Sequence, residues 1–288
     1  MSDPASRLAA LLDTPVRVVT DLGHRHAWTL YRAQLADGRE VFAKALDPQR
    51  RSDAGQALAA EAAGLRWLGE GDDSSLIPEV LAADANMLVL PWLPETAPSP
   101  TAADQLGRDL AALHARTPEY FGAPWPGFIA SLPQDNSRAT GEWGSWYAEH
   151  RLLPVLRAAA PTLGRDGVGL IERVICEIGE FCGPAEAPAR IHGDLWAGNI
   201  VWTSAGARLI DPAAHGGHRE TDLAMLSLFG APHLDRILAA YREMAPLEAG
   251  WRQRIPLHQL YPLLVHVVLF GGAYREMTVD AARAVLAG

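Results

Sequence analysis

Segment 192–211 restricts the possible folds of this chain more than any other. His192-Gly193-Asp194-Leu195-Trp196-Ala197-Gly198-Asn199 leads into the apolar run Ile200-Val201-Trp202-Thr203. The turn residues Ser204-Ala205-Gly206 follow, then a second run, Ala207-Arg208-Leu209-Ile210, which ends on Asp211. Two short apolar runs around a glycine-containing turn predict an antiparallel hairpin. With residue 200 opposite 210, Asn199 faces Asp211 at the open end, where directly opposed residues lie about 5 Å apart. That spacing suits two oxygen ligands of one Mg²⁺, a hard cation that takes carboxylate and amide oxygens together with phosphate. Asp194 sits on the loop feeding the hairpin. Its carboxylate can accept the proton of a hydroxyl that attacks the phosphate.

The 288 residues are 49% apolar, enough for one large domain or two lobes around a sizeable core. A formal charge of −9 argues against bulk nucleic-acid binding, which needs basic patches. An acidic surface favours cationic ligands such as amines, although many cytosolic enzymes share it. The chain opens on Ser2-Asp3-Pro4 and not on a basic then apolar run, so no signal peptide is expected. The late apolar run from Leu263 to Phe270 contains His266 and is too short to cross a bilayer. Cys176 and Cys182 are the only cysteines and form no Cys-x-x-Cys motif. They are expected to be buried thiols in a cytoplasmic protein.

Residues 1–90 read as mixed strand and helix. Leu30–Leu35 and Glu40–Leu46 flank Ala36-Asp37-Gly38, a hairpin signal; 54–68 reads as a helix and Asn86–Leu90 as a short strand. The proline-containing stretch 91–100 reads as a connector. From 101 to 288 helical periodicity dominates, interrupted only by the 191–211 loop and hairpin. Leu106, Leu110 and Leu113 mark one helix, while Trp146–Leu156 and Leu170–Phe181 give others. A strand-rich lobe, a connector and a helical lobe leave a cleft between them, a common seat for a small molecule.

Lys44 shares a strand face with Phe42 and Leu46. Glu61 falls on the apolar stripe of Leu58, Leu65 and Leu68 in the next helix. A buried charge without a partner costs about 3–5 kcal/mol, and Lys44 is the nearest candidate partner. Taken alone, the pattern favours a solvated lysine and a glutamate that reaches the lobe edge. Together with the acidic constellation at 194–211 it favours a pair that holds an ammonium over nucleotide phosphates.

These residues resemble the small-molecule branch of the protein-kinase-like fold, and within it the fructosamine/ketosamine kinase family. The resemblance is carried by His192 to Asn199, Ile210-Asp211-Pro212-Ala213, His218 to Met225 and Leu228-Phe229-Gly230. Pro133 to Asn136 with Trp146 to Leu152, and Gln259 to Tyr261 through His266 to Tyr274, add to it. It implies a bilobal α+β enzyme with a small lobe of antiparallel sheet plus one helix and a larger helical lobe. The implied reaction transfers phosphate from Mg·ATP to the hydroxyl on the third sugar carbon of a ketosamine, which promotes deglycation. By resemblance, Asp194 is the catalytic base, Asn199 and Asp211 hold Mg²⁺, and Lys44 with Glu61 touches the nucleotide phosphates. Gly23 belongs to the phosphate loop. Leu90-Pro91-Trp92-Leu93 is the adenine hinge, through the Pro91 carbonyl and Leu93 N–H. His192 and Asp222 support the catalytic loop. Related branches phosphorylate aminoglycosides or amino alcohols. A non-catalytic nucleotide-binding module is an alternative of another class.

Two departures stand out. The phosphate loop, Leu22-Gly23-His24-Arg25-His26-Ala27-Trp28, holds one glycine where the family shows paired glycines. Glycine lets backbone N–H groups approach phosphate closely. Arg25 and the two histidines either compensate with charge or form a solvated basic turn. His215-Gly216 stands where the family carries aromatic residues, which places His215 beside the acceptor sugar. Trp196 either stacks on the acceptor or packs under the catalytic loop. His215 and His218 are read as loop histidines because no third metal ligand is evident. His114 is read as a core histidine, and the tryptophans between 125 and 146 as packing residues.

Overall fold

The computed structural model describes residues 3–25, 27–47, 53–71 and 75–288, so His26 of the glycine-poor loop lies outside the described residues. Helix α1 (Pro4–Leu12) precedes strands β1 (Val16–Arg25), β2 (Trp28–Leu35) and β3 (Glu40–Leu46), helix α2 (Asp53–Gly69), and strands β4 (Ala82–Asp84) and β5 (Met87–Pro91). The strands form one antiparallel sheet in the order β1-β2-β3-β5-β4. α1 was not anticipated. Asp3 caps it, Pro4 starts it, and Leu8 is fully buried with Leu35, Val41 and Val89. α2 turns Leu58, Leu65 and Leu68 inward, as its periodicity predicts.

Beyond the connector come helices α3 (Pro100–His114), α4 (Trp143–Tyr147), α5 (Leu153–Cys176), α6 (Ile178–Phe181), α7 (Glu220–Phe229), α8 (Leu234–Met244), α9 (Trp251–Phe270) and α10 (Arg275–Ala287). The helical half is interrupted more often than expected. Hairpin β6 (Gly127–Ile129) with β7 (Leu132–Gln134), and the pair β8 (Ala189–Ile191) with β11 (His215–Gly217), accompany the expected hairpin β9 (Ile200–Thr203) with β10 (Gly206–Leu209). Strands three residues long carry too little alternation to be read from a pattern.

The β9–β10 hairpin also shifts the expected register by one. Ile200 pairs with Leu209 and Thr203 with Gly206, so Ser204 and Ala205 alone make the turn. Thr203 Oγ1 donates to Gly206 O at 2.8 Å and accepts from Ala205 N at 3.2 Å, which closes the turn early. Asn199 therefore opposes Ile210, whose N–H donates to Asn199 O at 3.0 Å. Asp211 lies two residues beyond the last ladder pair, Leu209 with Ile200.

One apolar cluster joins the two halves. Leu58 and Leu65 of α2 and Leu88 and Leu90 of β5 pack in the same core as Leu106 and Leu110 of α3, Trp202 of β9 and Leu209 of β10. A second core gathers Trp143, Trp146, Leu163, Leu257 and Leu264 from α4, α5 and α9. By length and composition alone, 251–287 could cross a membrane, but half of its apolar 18-residue stretch is buried in the protein. Arg254 of α9 is buried against Glu220, which identifies α9 as a core helix. Cys176 is exposed, contrary to expectation, because α5 ends there at the surface; Cys182 is partly buried, its thiol on Ile178 O.

His218, Glu220 and His258 come together in the interior, although no third ligand was evident beside His218. Arg254 holds both Glu220 oxygens at 2.8 and 2.5 Å, so the group is an ion-pair network whose cation is already present. Burial alone would raise the Glu220 carboxyl, but the Arg254 hydrogen bonds and the His258 ring 3.4 Å away outweigh it and hold it at about 2. Burial lowers His218 to about 3.

Two outcomes follow for stability. Below pH 6.5 the unfolded chain binds a proton at His218 that the native state refuses, and below 4.5 the same holds for Glu220. Stability is therefore lost as the pH drops through that range. Urea midpoints between pH 8 and 4 measure the fall, which is expected to be smaller in His218→Asn. α3 and α8 touch closely at Gly107, where a Cβ would lie 2.3 Å from Ile237 O and 2.9 Å from Ala240 Cβ. Alanine is the better helix former, yet this overlap outweighs that gain. Gly107→Ala is expected to lower stability by roughly 1–3 kcal/mol in urea denaturation, and an unchanged midpoint contradicts the close packing.

Candidate active site

Lys44 sits on β3 with its side chain turned toward α2. Its Nζ lies 2.7 Å from Glu61 Oε2 and 3.0 Å from Asp211 Oδ1. Lys44 and Glu61 are both buried, whereas the Asp211 side chain is 48% exposed and opens to the cleft. Burial alone would depress the Lys44 ammonium, but Asp211 and Glu61 more than offset it and hold the amine charged. Burial also pushes the Glu61 carboxyl up, against the pull of Lys44. Asp211 takes a left-handed φ of 53° between Ile210 and Pro212. Aspartate tolerates that conformation, and here the chain leaves the hairpin with the carboxylate directed at Lys44.

Asp194 and Asn199 meet across the loop. Asn199 Nδ2 donates to Asp194 O at 2.8 Å and to Asp194 Oδ2 at 3.2 Å, so Oδ1 is the atom left for a cation. Burial raises the Asp194 carboxyl to about 7, the Asn199 hydrogen bond opposes this, and the charge of Asp211 adds to it.

The loop is held from behind by Asp222 at the start of α7. Its carboxylate accepts from His192 N at 2.7 Å and Gly193 N at 2.9 Å. His114 Nε2 lies 3.1 Å from the same carboxylate and Nδ1 2.9 Å from Tyr241 OH, as befits a core histidine. His192 Nε2 donates to Ile210 O at 2.9 Å, and its Nδ1 accepts from Asp194 N at 3.2 Å. One buried imidazole thus joins the backbone of the loop to that of the strand before Asp211. Gly193 has φ 79°, and a Cβ there would meet Ala213 O at 2.4 Å.

Lys44, Glu61, Asp194, Asn199 and Asp211 line one cleft of about 1400 Å³. Leu90, Pro91, Trp92 and Leu93 form part of its wall. The Trp92 N–H is taken by Glu40 O at 3.0 Å, and Arg32 stacks on the Trp92 ring. Trp196, 41% exposed, lines the cleft and lies edge-on to Phe229. It also packs across Gly198, where a Cβ would come within 2.2 Å of the indole.

Two expected site residues are placed differently. His215 belongs to β11 and is buried behind the loop that carries Gly193, not in the cleft wall. Its Nδ1 faces Ala213 O at 2.8 Å and its ring packs on Trp146, because pairing of β11 with β8 turns it inward. Gly23 lies in a bulge of β1 and its N–H donates to Asp21 Oδ1 at 2.7 Å, so that amide is already bonded.

The sequence did not single out Trp28, whose ring lies 5.4 Å from Lys44 Nζ, or the Phe128–Leu132 turn. Trp125, expected in the core, lines the cleft edge-on to Trp67. Trp143 and Trp146 are core residues. Asn136 lines the cleft and accepts from Arg151 Nη2 at 2.9 Å. A π-helical turn over 148–152 brings the Arg151 side chain inside. The pairing of Pro133–Asn136 with Trp146–Leu152 was the one signal for this contact.

The fructosamine kinase family model matches residues 24–287. A Thermus thermophilus protein with the provisional name ketoamine kinase is 36% identical over 241 residues, covering 82% of this chain and 84% of its own length. A Thermobifida fusca structure provisionally named a fructosamine-3-kinase superposes with a TM-score of 0.96 at 50% identity, covering 99% of both chains. A macrolide 2′-phosphotransferase from Brachybacterium faecium shares the fold, with a TM-score of 0.65 at 18% identity over 96% of each chain. With a family match over nearly its whole length, and relatives that align from sheet to last helix, the chain belongs to the fructosamine kinase family.

Proposed function

We propose that this protein is an ATP-dependent ketosamine kinase that phosphorylates the hydroxyl on the third carbon of a fructosamine- or ribulosamine-type sugar, in the service of deglycation. The observation that carries this is the Lys44 ammonium, fixed between Glu61 and Asp211 and sharing one cleft with Asp194 and Asn199. Residues 1–90 serve as the nucleotide lobe, 91–100 as the hinge and 101–288 as the acceptor lobe.

Lys44 holds the α- and β-phosphates. The Pro91 carbonyl and the Leu93 N–H grip adenine; proline lacks the N–H but keeps the acceptor. Asp194 accepts the proton of the attacking hydroxyl, a role suited to a carboxyl raised toward neutrality. Asn199 Oδ1 and the Asp211 carboxylate form an all-oxygen donor set that fits Mg²⁺. The bound ion neutralises charge on the phosphates. The protein's own contribution is positioning, through the Asp222 and His192 contacts that hold the loop. Trp196 offers the acceptor an aromatic face. Use of Mg·ATP and two free cysteines accord with a cytoplasmic location.

The carboxylates lining the cleft favour a ketosamine over a polycationic aminoglycoside. Glu61 and Asp211 flank Lys44 and Glu95 lies in the hinge, so Asp194 is the one left on the acceptor side among the described residues. With Mg·ATP, transfer to fructosyl-lysine and ribulosyl-lysine is expected to exceed transfer to kanamycin. The reverse order replaces the proposed substrate. ATP binding without turnover on any acceptor identifies a non-catalytic module. Asp194→Asn is expected to cut kcat by about 10²–10⁴-fold with little change in ATP binding. Wild-type turnover in that variant removes Asp194 from the chemistry.

A further inference from the structure

Kinase-like enzymes commonly hold nucleotide phosphates with the free N–H groups of a glycine-rich loop. Here the corresponding segment is drawn into the sheet. β1 bulges between Asp21 and Gly23, then pairs on to the end of the strand, His24 with Thr29 and Arg25 with Trp28. The one glycine has φ 96°, but its N–H is bonded to the Asp21 carboxylate at 2.7 Å. Only residues 26 and 27 connect the paired Arg25 and Trp28. Ala27 O accepts from Asp47 N at 3.0 Å, tying this end of the hairpin to the end of β3. A loop so committed offers phosphate few free amides.

The charge in the cleft needs an answer as well. Four carboxylates line it, Glu61, Glu95, Asp194 and Asp211, against Arg25 and Lys44 as the lysine or arginine side chains among the described residues. The Lys44 charge is already shared by Glu61 and Asp211. Arg25 lines the same cleft beside Leu22, Ala27 and Trp28, and has no ion pair or hydrogen bond from its side chain among the described residues. Trp28 stands next to Lys44, which puts the two cations on the same side of the cleft. A guanidinium suits this position because its planar fork takes two phosphate oxygens at once and stays charged at any working pH.

We propose that Arg25 is a nucleotide-phosphate ligand of this protein, its guanidinium gripping the terminal phosphates where relatives with paired glycines use backbone amides. The proposal rests on the cleft being a Mg·ATP site and is independent of the acceptor. Calorimetric titration of the full chain, without acceptor, tests it with Mg·ATP and with adenosine on wild type, Arg25→Ala and Arg25→Lys. Arg25→Ala is expected to weaken ATP by roughly 10–100-fold, the range of a charge-assisted contact, while adenosine affinity stays within about twofold. Arg25→Lys is expected to recover part of the loss. Unchanged ATP affinity in Arg25→Ala overturns the proposal. An equal loss for ATP and adenosine also overturns it, since that marks a structural role for the residue. Wild-type protein that binds neither ligand overturns the kinase reading together with it, whereas failure on every acceptor with this pattern intact leaves the Arg25 assignment standing.

Discussion

The Lys44 ammonium stands between carboxylates from two distant parts of the chain, Glu61 on α2 at 2.7 Å and Asp211 past β10 at 3.0 Å. A buried ammonium is tolerated only where such partners replace water, and removing one partner leaves a charge that costs about 3–5 kcal/mol. The pairing with Glu61 fixes the sheet relative to α2. The contact with Asp211 then fixes both relative to the hairpin. The same three groups that fasten the two halves thus also set out the charge pattern of the cleft, so packing and site cannot be arranged separately.

A second support acts from the opposite side. Asp222 is fully buried and spends its carboxylate on the N–H groups of His192 and Gly193 and on His114. Burial alone would raise its carboxyl, but His114, His192 and the loop amides keep it low. His192 then passes the constraint on, bonding Asp194 N with one ring nitrogen and Ile210 O with the other. The imidazole thus holds Asp194 by its own N–H and Asp211 through the carbonyl of the residue before it, Ile210. The placement of Asp194 and Asp211 in the cleft therefore depends on side chains that never line it, while Asp194 lines the cleft with its carboxyl raised by burial.

Much of this was legible before the fold was known. Helix α2 could be read from Leu58, Leu65 and Leu68, and the anomaly of Glu61 on that stripe pointed to Lys44. Residues 192–211 announced a loop, a hairpin and a convergence of oxygens. Other parts were silent. The hairpin register slipped by one because Thr203 closes its turn with its own hydroxyl. The strands β6, β7, β8 and β11 are three residues each, shorter than one period of a recognisable pattern. His215 looked like a loop residue because two glycines follow it. In the fold those glycines let the backbone pass closely: a Cβ at Gly216 would meet Tyr120 O at 2.2 Å, and one at Gly217 would meet Ile191 at 2.4 Å.

The amino-acid sequence by itself determined which chemical groups are available, and through strand and helix periodicity which face each one occupies. That follows from physics local to a few residues: a period of two on a strand, 3.6 on a helix, and the demands of a short turn. The tertiary structure alone decided which of those groups remain free. Gly23 was expected to give its amide to phosphate and gives it to Asp21; Glu220 gives both oxygens to Arg254, thirty-four residues away. A hydrogen-bonding group is committed by whatever partner the fold brings within about 3 Å, and no spacing along the chain records that distance.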